Sequence, residues 1–420
     1  MKHIVFSLMA AMALALNTSA TTIETDRTWY LAGEQMTVSV TAERQRVGAP
    51  AGIDALIAYA ELCDTHGLAA GVIISLKGGI GKGVIELPSN LHSGYYVLSA
   101  YTRDKAHVSQ QLVAIINPLH KSADDDIKWV PGDSCWVMSE GTADLVSQKT
   151  VDVPEAEGHI IQARIKNVYN NNIYRGSQIC PSISIIGKQI HYFEGKMVND
   201  STAVFYTYDI YGKQPLVLSA LSSDGVSLPI EMISPFATLL PKQLPHLVFH
   251  YKRSEVEARS MDMQRHQMAI TPAEGDDENQ SSVSPLDYDD TAYSTKPDLT
   301  YNLDEYRQFR TVREVLLEYV SNVSNRKING VPKLIVHSKK DYFDDSWPSL
   351  VLIDGMPVFN IERLLNYDAR RIHYINVYGG QYTFGNGVYN GILSFITRSG
   401  RLTNYPIEPN MQYLVYAFPE

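Results

Sequence analysis

Side chains capable of chemistry are present in this sequence, but they are not grouped as chemistry requires. Cys63, Cys135 and Cys180 are spaced 72 and 45 residues apart. With no C-x-x-C pair, neither a zinc site nor a redox dithiol is indicated. One disulfide and three small buried side chains both stay open as readings. The histidines include no H-E-x-x-H, and there is no G-x-S-x-G elbow, no P-loop and no dinucleotide fingerprint. Gly78-Gly79-Ile80-Gly81 lacks the Lys-Ser/Thr that a phosphate loop needs. Asp124-Asp125-Asp126 lacks the Asx-x-Asx spacing and the glycine of a calcium loop. Asp344-Asp345 are adjacent and are expected on a loop, with their side chains pointing apart. The sequence therefore offers no catalytic, cofactor-binding or metal-binding residue, and no cofactor is expected. A triad assembled from distant residues stays open.

The elements that would position any site are mostly strands. Met36 to Thr41 alternates apolar and polar residues with period two, as a half-buried strand does. Ala55 to Leu62, Gly71 to Leu76 and Gly94 to Thr102 are further strands, punctuated by Gly78, Gly79, Gly81 and Gly83. Short strands at turn-marked intervals predict a β-sandwich over 21–117. Ile160 to Val168, Ser182 to Ile186, Val204 to Ile210 and Pro215 to Ala220 predict a second sandwich over 135–250, after a charged connector at 118–134. Residues 251–300 are acidic and poor in aliphatic side chains, the composition of a linker; an acidic docking segment for a basic partner is its functional alternative.

The first sandwich resembles the MG2 domain of alpha-2-macroglobulins. The resemblance rests on Asp26 to Glu34, which looks like the opening strand and Y-x-x-G-E turn. Tyr59 to Leu62, Gly83 to Pro88 and Ser93 to Leu98 continue it, the last looking like the closing strand. Ala32-Gly33-Glu34-Gln35 is similar to the thioester motif of that family, but Ala32 stands where the motif has cysteine. With no sulfur there can be no thioester, so Gly33 is read as a turn residue and covalent trapping is rejected.

From residue 301 to 400 the pattern changes to α+β, with helices expected on a small mixed sheet. Thr311 and Glu314 have the spacing of a capping box, and Val312, Val315, Leu316 and Tyr319 share one helical face. Strands are expected at Lys333 to His337, Leu350 to Asp354, Ile372 to Tyr378 and Gly391 to Thr397, and a short helix at Ile361 to Leu365. This unit resembles the plug domain of TonB-dependent outer-membrane receptors. The carrying residues are Pro348 to Pro357, Ile372 to Val377, Phe384-Gly385 and Asn390 to Gly400. A receptor barrel of 22 strands would need on the order of 200 residues. Only 20 residues follow Gly400, so residues 401–420 are expected to be a tail and the unit to act without a pore.

Asp354 and Gly355 are expected to turn the chain, with Gly355 at positive φ, where a β-carbon costs about 1–2 kcal/mol. Gly391 is expected to open the last strand at a crowded point. Ile353, Ile375, Val377, Ile392 and Phe395 are expected in one core, with Leu350, Leu352 and Ile396 facing another side. The glycine segment from Gly379 to Gly387 reads as a flexible loop. Tyr378, Tyr382 and Phe384 are its candidate partner contacts, since aromatic rings bury area at little entropic cost. The alternative is that these rings pack back on their own sheet.

The amino terminus resembles a secretory signal peptide: Lys2, an apolar run from Ile4 to Leu16, then small residues ending at Ala20. The formal net charge of −10 disfavours nucleic acid and anionic membrane surfaces as partners. The resulting expectation is mainly β: two Ig/macroglobulin-like sandwiches followed by a small α+β plug-like domain. The expected function is non-catalytic, exported to the periplasm or outer membrane of a Gram-negative cell. There the plug-like unit would dock on another envelope protein, such as an outer-membrane β-barrel. The alternative is an envelope protease inhibitor or a hydrolase with an unrecognised site.

Overall fold

A computed structural model describes residues 21–42, 57–103, 108–119, 127–145, 155, 158–166, 178–186, 190–223, 225–270, 296–328, 330–337, 349–384, 387–402 and 404–419. The apolar amino-terminal segment, Asp124-Asp125-Asp126, Asp344-Asp345, Pro348, Gly385 and residues 271–295 of the expected linker lie outside them. The protein is mainly β, with several sheets and little helix. It divides into two compact units, Met1–Ala156 with Thr238–Ser260, and Glu157–Ala237 with Met261–Glu420.

The first unit is a sandwich carrying a third layer. One sheet runs Thr21–Thr25, Gln35–Ala42, Ile80–Glu86 in spatial order; its partner runs Trp29–Leu31, Ser109–Ile116, Gly94–Thr102, Ile57–Cys63, Leu68–Ser75. Period two decides what is buried: Met36, Val38 and Val40 point into the core, where they meet Tyr30, Leu62, Ile74 and Leu98. Of the four glycines between 78 and 83, two form a turn and two do not. Gly78 and Gly79 have φ of 61° and 82°, whereas Gly81 and Gly83 lie within the strand Ile80–Glu86. A Cβ on Gly81 would be 2.4 Å from the Ser75 carbonyl oxygen, and one on Gly83 would be 2.8 Å from the Ile74 side chain. Both glycines mark the line where the two sheets converge.

The third layer is a sheet of Trp136–Glu140, His246–Tyr251 and Ile127–Pro131, the last two strands parallel. Leu247 and Phe249 cover Trp29, Leu31, Tyr95 and Ile116 on the outer face of the five-stranded sheet. This corrects the expected boundaries. Residues 127–131 are not a connector, and residues 136–140 and 246–251 do not belong to the second sandwich. The chain leaves the first unit, builds another sandwich and returns. A linear reading of composition cannot see such nesting. The expected linker is corrected as well, since it opens on an 18-residue helix, Arg253–Ile270. Helix formers such as Glu, Ala, Arg, Gln and Met support it despite weak amphipathicity. Val256 of this helix is buried in that apolar cluster.

In the second unit, one sheet runs Lys196–Met197, Thr202–Thr207, His159–Ile165, Ile230–Ile233. The other runs His191–Glu194, Ile179–Ile185, Lys213–Ser222, Gln412–Ala417. The last of these strands comes from the expected tail, which is thereby corrected: Tyr416 and Phe418 are buried in the sandwich, and their rings lie 5.7 and 6.4 Å from that of His159.

A mixed five-stranded sheet, Leu299–Asn302, Ile372–Phe384, Gly387–Thr397, Leu350–Ile353, Met356–Pro357, makes the α+β part. The helix Val312–Glu318 has the Thr311/Glu314 capping box and buries Val312, Val315 and Leu316. Core placement follows strand parity. Ile353, Ile375, Val377 and Phe395 share one cluster. Ile392 does not join them but lies with Leu350, Leu352 and Ile396 on the opposite face. Residues 392 and 395 are an odd number apart and cannot share a face of one strand; Leu393 takes the expected place. The same core also holds Ile186 and Val217 of the sandwich, so the α+β part is not a separate body.

Candidate functional site

The turn after Leu350–Ile353 carries a buried carboxylate, Asp354. Ile353 pairs with Met356, leaving a two-residue loop, Asp354-Gly355, with φ of 46° and 90°. Two successive positive φ values are what a type I′ hairpin turn needs, and Asp-Gly is a preferred pair for it. A Cβ on Gly355 would be 2.9 Å from the Ile185 carbonyl oxygen and 2.8 Å from Ile190. Glycine is therefore required twice over, by conformation and by space.

Asp354 is wholly buried. Its Oδ1 accepts from the Thr397 backbone N–H at 2.7 Å, and its Oδ2 accepts from the Thr397 hydroxyl at 2.5 Å and the Leu402 backbone N–H at 2.7 Å. Burial pushes its pKa up, and the hydrogen bonds from Thr397 and Leu402 oppose the shift without cancelling it. Among the described residues, no cation pairs with it. Both oxygens face the chain itself, so the carboxylate fastens the 350–357 hairpin to the end of Gly387–Thr397 and the loop beyond.

The three candidate contact rings do not form an exposed loop. Ile372–Phe384 and Gly387–Thr397 pair along a long hairpin, with a register shift at Gly379-Gly380. Tyr378 is 0% exposed and packs among Ile190, Tyr192, Leu352 and Ile392, which corrects its reading as a contact residue. Tyr382 and Phe384 are half-buried against the same cluster. The Phe384 ring meets Tyr192 edge-on at 5.2 Å. Beside them Tyr389 donates to Glu194, and its hydroxyl is 3.3 Å from that of Tyr192. Burial, reinforced by the nearby Glu194 charge, pushes both tyrosines well above their ordinary range. Gly391 does not open its strand but lies inside it at φ 81°, where a Cβ would be 2.6 Å from that of Val336.

Sequence reasoning missed two sites in the first unit. Glu61 is buried in the strand Ile57–Cys63 and accepts from the Tyr101 hydroxyl at 2.8 Å and from the backbone N–H groups of Thr238 and Leu239 at 3.0 and 2.6 Å. Beside it Tyr59, stacked on Tyr101, donates to Glu155 at 2.7 Å. Glu61 thus holds the segment returning to this unit, and Glu155 holds the one leaving it. The only signal was a single acid in an otherwise apolar strand. At the Gly33 turn (φ 91°), Glu34 accepts from the Leu31 N–H and pairs with Arg259, whose guanidinium lies 3.8 Å from the centre of the Trp29 ring. The motif that looks like a thioester is thus a turn closed by an ion pair.

No family model matches the chain, and no curated relative matches it. Solved structures give distant likenesses. A point mutant of Salmonella alpha-2-macroglobulin is 9% identical with a TM-score of 0.20, over 55% of this chain and 14% of that one. Trypsin-activated alpha-2-macroglobulin from Escherichia coli is 13% identical with a TM-score of 0.21, over 52% and 16%. The Escherichia coli adhesin FdeC is 13% identical with a TM-score of 0.19, over 55% and 65%. The chain spans about one seventh of the macroglobulins it matches. These likenesses extend to no activity, and the plug-like resemblance of 301–400 rests on its own residues.

Proposed function

We propose that this chain is a non-catalytic binding or scaffold protein of the cell envelope, exported through its amino-terminal segment and docking on an outer-membrane partner. One observation carries the reading: the buried carboxylates serve the chain's own architecture. Asp354 takes two backbone N–H groups and a hydroxyl. Glu61 takes two backbone N–H groups and a phenol. Acids held this way join segments of the chain, and both are buried away from solvent. The shallow cleft between Tyr306, Phe309 and Tyr319 is rimmed by Arg370 and Arg398, which are already engaged with Asp368 and Asp304.

The plug-like motifs support an outer-membrane partner. Since Tyr378, Tyr382 and Phe384 pack inward, the contact falls to other side chains. Leu299, Leu317 and Val331 are the exposed large apolar residues of this part among those described. A photo-crosslinking residue at position 317, introduced in intact cells, should capture one discrete outer-membrane protein. Absence of any crosslink from 299, 317 and 331 would refute the docking. Turnover of a peptide or ester substrate, abolished by a single substitution in this chain, would refute the non-catalytic reading.

A further inference from the structure

Sheet edges expose unpaired N–H and C=O groups, and soluble proteins blunt them with charge, proline or cover. Most edge strands here follow that rule. Thr21–Thr25 carries Glu24, Ile80–Glu86 carries Lys82, Ile127–Pro131 carries Lys128 and Pro131, and Ile230–Ile233 carries Glu231. Leu68–Ser75 is uncharged, but the glycine strand Ile80–Glu86 lies against it, with Gly81 close to the Ser75 carbonyl. Gln412–Ala417, at the edge of its four-stranded sheet, has six residues, no charge and no proline.

Its hydrogen-bonding phase can be read from one contact. The Phe418 N–H donates to the Gly212 carbonyl at 2.9 Å. Bonding pairs alternate along an antiparallel ladder, so Tyr416, Leu414 and Gln412 also bond toward Lys213–Ser222. Tyr413, Val415 and Ala417 therefore direct their backbone groups outward. The same three have exposed side chains, with Tyr413 at 51% and Val415 at 62%. At the start of the strand the Gln412 side chain accepts from the Met232 N–H at 2.7 Å; among the described residues, no strand pairs with the outward side of 413–417.

We propose that this edge pairs antiparallel with the same strand of a second copy of this chain, about a two-fold axis at Val415, joining two four-stranded sheets into one. Two features favour a copy as the occupant. A chain with net charge −10 repels its copy, and a symmetric contact must avoid placing a charge against itself; this strand has none to place. The register is also self-consistent. With Val415 opposite its own copy, Tyr413 faces Ala417, so every outward-bonding residue meets another and the large ring lies beside the smallest side chain.

Sedimentation of the full chain from about 1 to 100 µM should show a dimer, as expected for a small interface of modest affinity. Val415→Lys should raise the dissociation constant at least about tenfold by setting like charges opposite each other. Its melting temperature, compared at a concentration where both proteins are monomers, should be unchanged, because the side chain is exposed. Val415→Cys should crosslink to itself under mild oxidation, since a bonding pair has Cα atoms about 5.5 Å apart, within disulfide range. Tyr413→Cys, facing Ala417, should not exceed the wild type. A monomer across the range, a dimer indifferent to Val415→Lys, or equal crosslinking at 413 and 415 would overturn the proposal.

Discussion

Asp354 and Thr397 are joined twice, the carboxylate accepting from both the backbone N–H and the hydroxyl of the threonine. This pair of hydrogen bonds from one turn to the end of a parallel neighbour, with a third from Leu402, fixes where the hairpin lies on the sheet. Asparagine at 354 would keep the left-handed turn but present an NH₂ to an N–H donor. Asp354→Asn should cost about 2 kcal/mol, the price of a buried unmatched donor, measured by urea unfolding. The pH dependence has a definite sign. The folded pKa is raised by burial, so the contribution of this group is fully present below the unfolded value of about 4 and is lost as pH rises through the folded value. The stability advantage of wild type over Asp354→Asn should therefore shrink as pH increases from about 4. An advantage that grows over that interval would show a depressed pKa instead.

Gly355 and Gly212 both have positive φ, 90° and 67°, but only Gly355 is crowded. Alanine at 212 should cost about 1 kcal/mol from backbone strain alone. Alanine at 355 should cost about 2–4 kcal/mol, since Ile190 and the Ile185 carbonyl must also move. Equal midpoints for the two variants in denaturant would show that the contact with the sandwich relaxes freely.

Phe384 reaches Tyr192 of the sandwich, so its ring helps join the hairpin to that layer. Phe384→Ala should lower stability by about 2 kcal/mol, less than full burial would give. Tyr211→Ala, at an exposed ring, should change it by no more than about 0.5 kcal/mol. A neutral Phe384→Ala that abolished partner capture would return this ring to the docking surface.

The β character of the chain was legible because period two is local: Met36, Val38 and Val40 announce their own face. The turn at Asp354-Gly355 was legible for the same reason, since a two-residue loop with positive φ constrains the residues inside it. The orientation of Tyr378, Tyr382 and Phe384 was not, because the shift at Gly379-Gly380 resets which face each residue takes. Glu61 was hidden because its partners are 177 and 178 residues away. The nesting of the units and the recruitment of Gln412–Ala417 depend on pairings across such distances, and composition carries no trace of them.

The recruited strand makes the last test. Gln412–Ala417 pairs along Lys213–Ser222 from Lys213↔Ala417 to Leu218↔Gln412, and the α+β core includes Ile186 and Val217. A protease site inserted between residues 280 and 290 would cut the chain into two pieces, each carrying part of the second unit. If composition set the domains, the pieces would separate. The pairing implies that they stay together after cleavage, co-elute in gel filtration and melt in one transition for that unit. Unfolding should be needed to part them, since a single cut leaves the sheet bonds and the shared core in place. Recovery of a folded carboxy-terminal piece on its own would show that the core around Val217 contributes little to holding the α+β part.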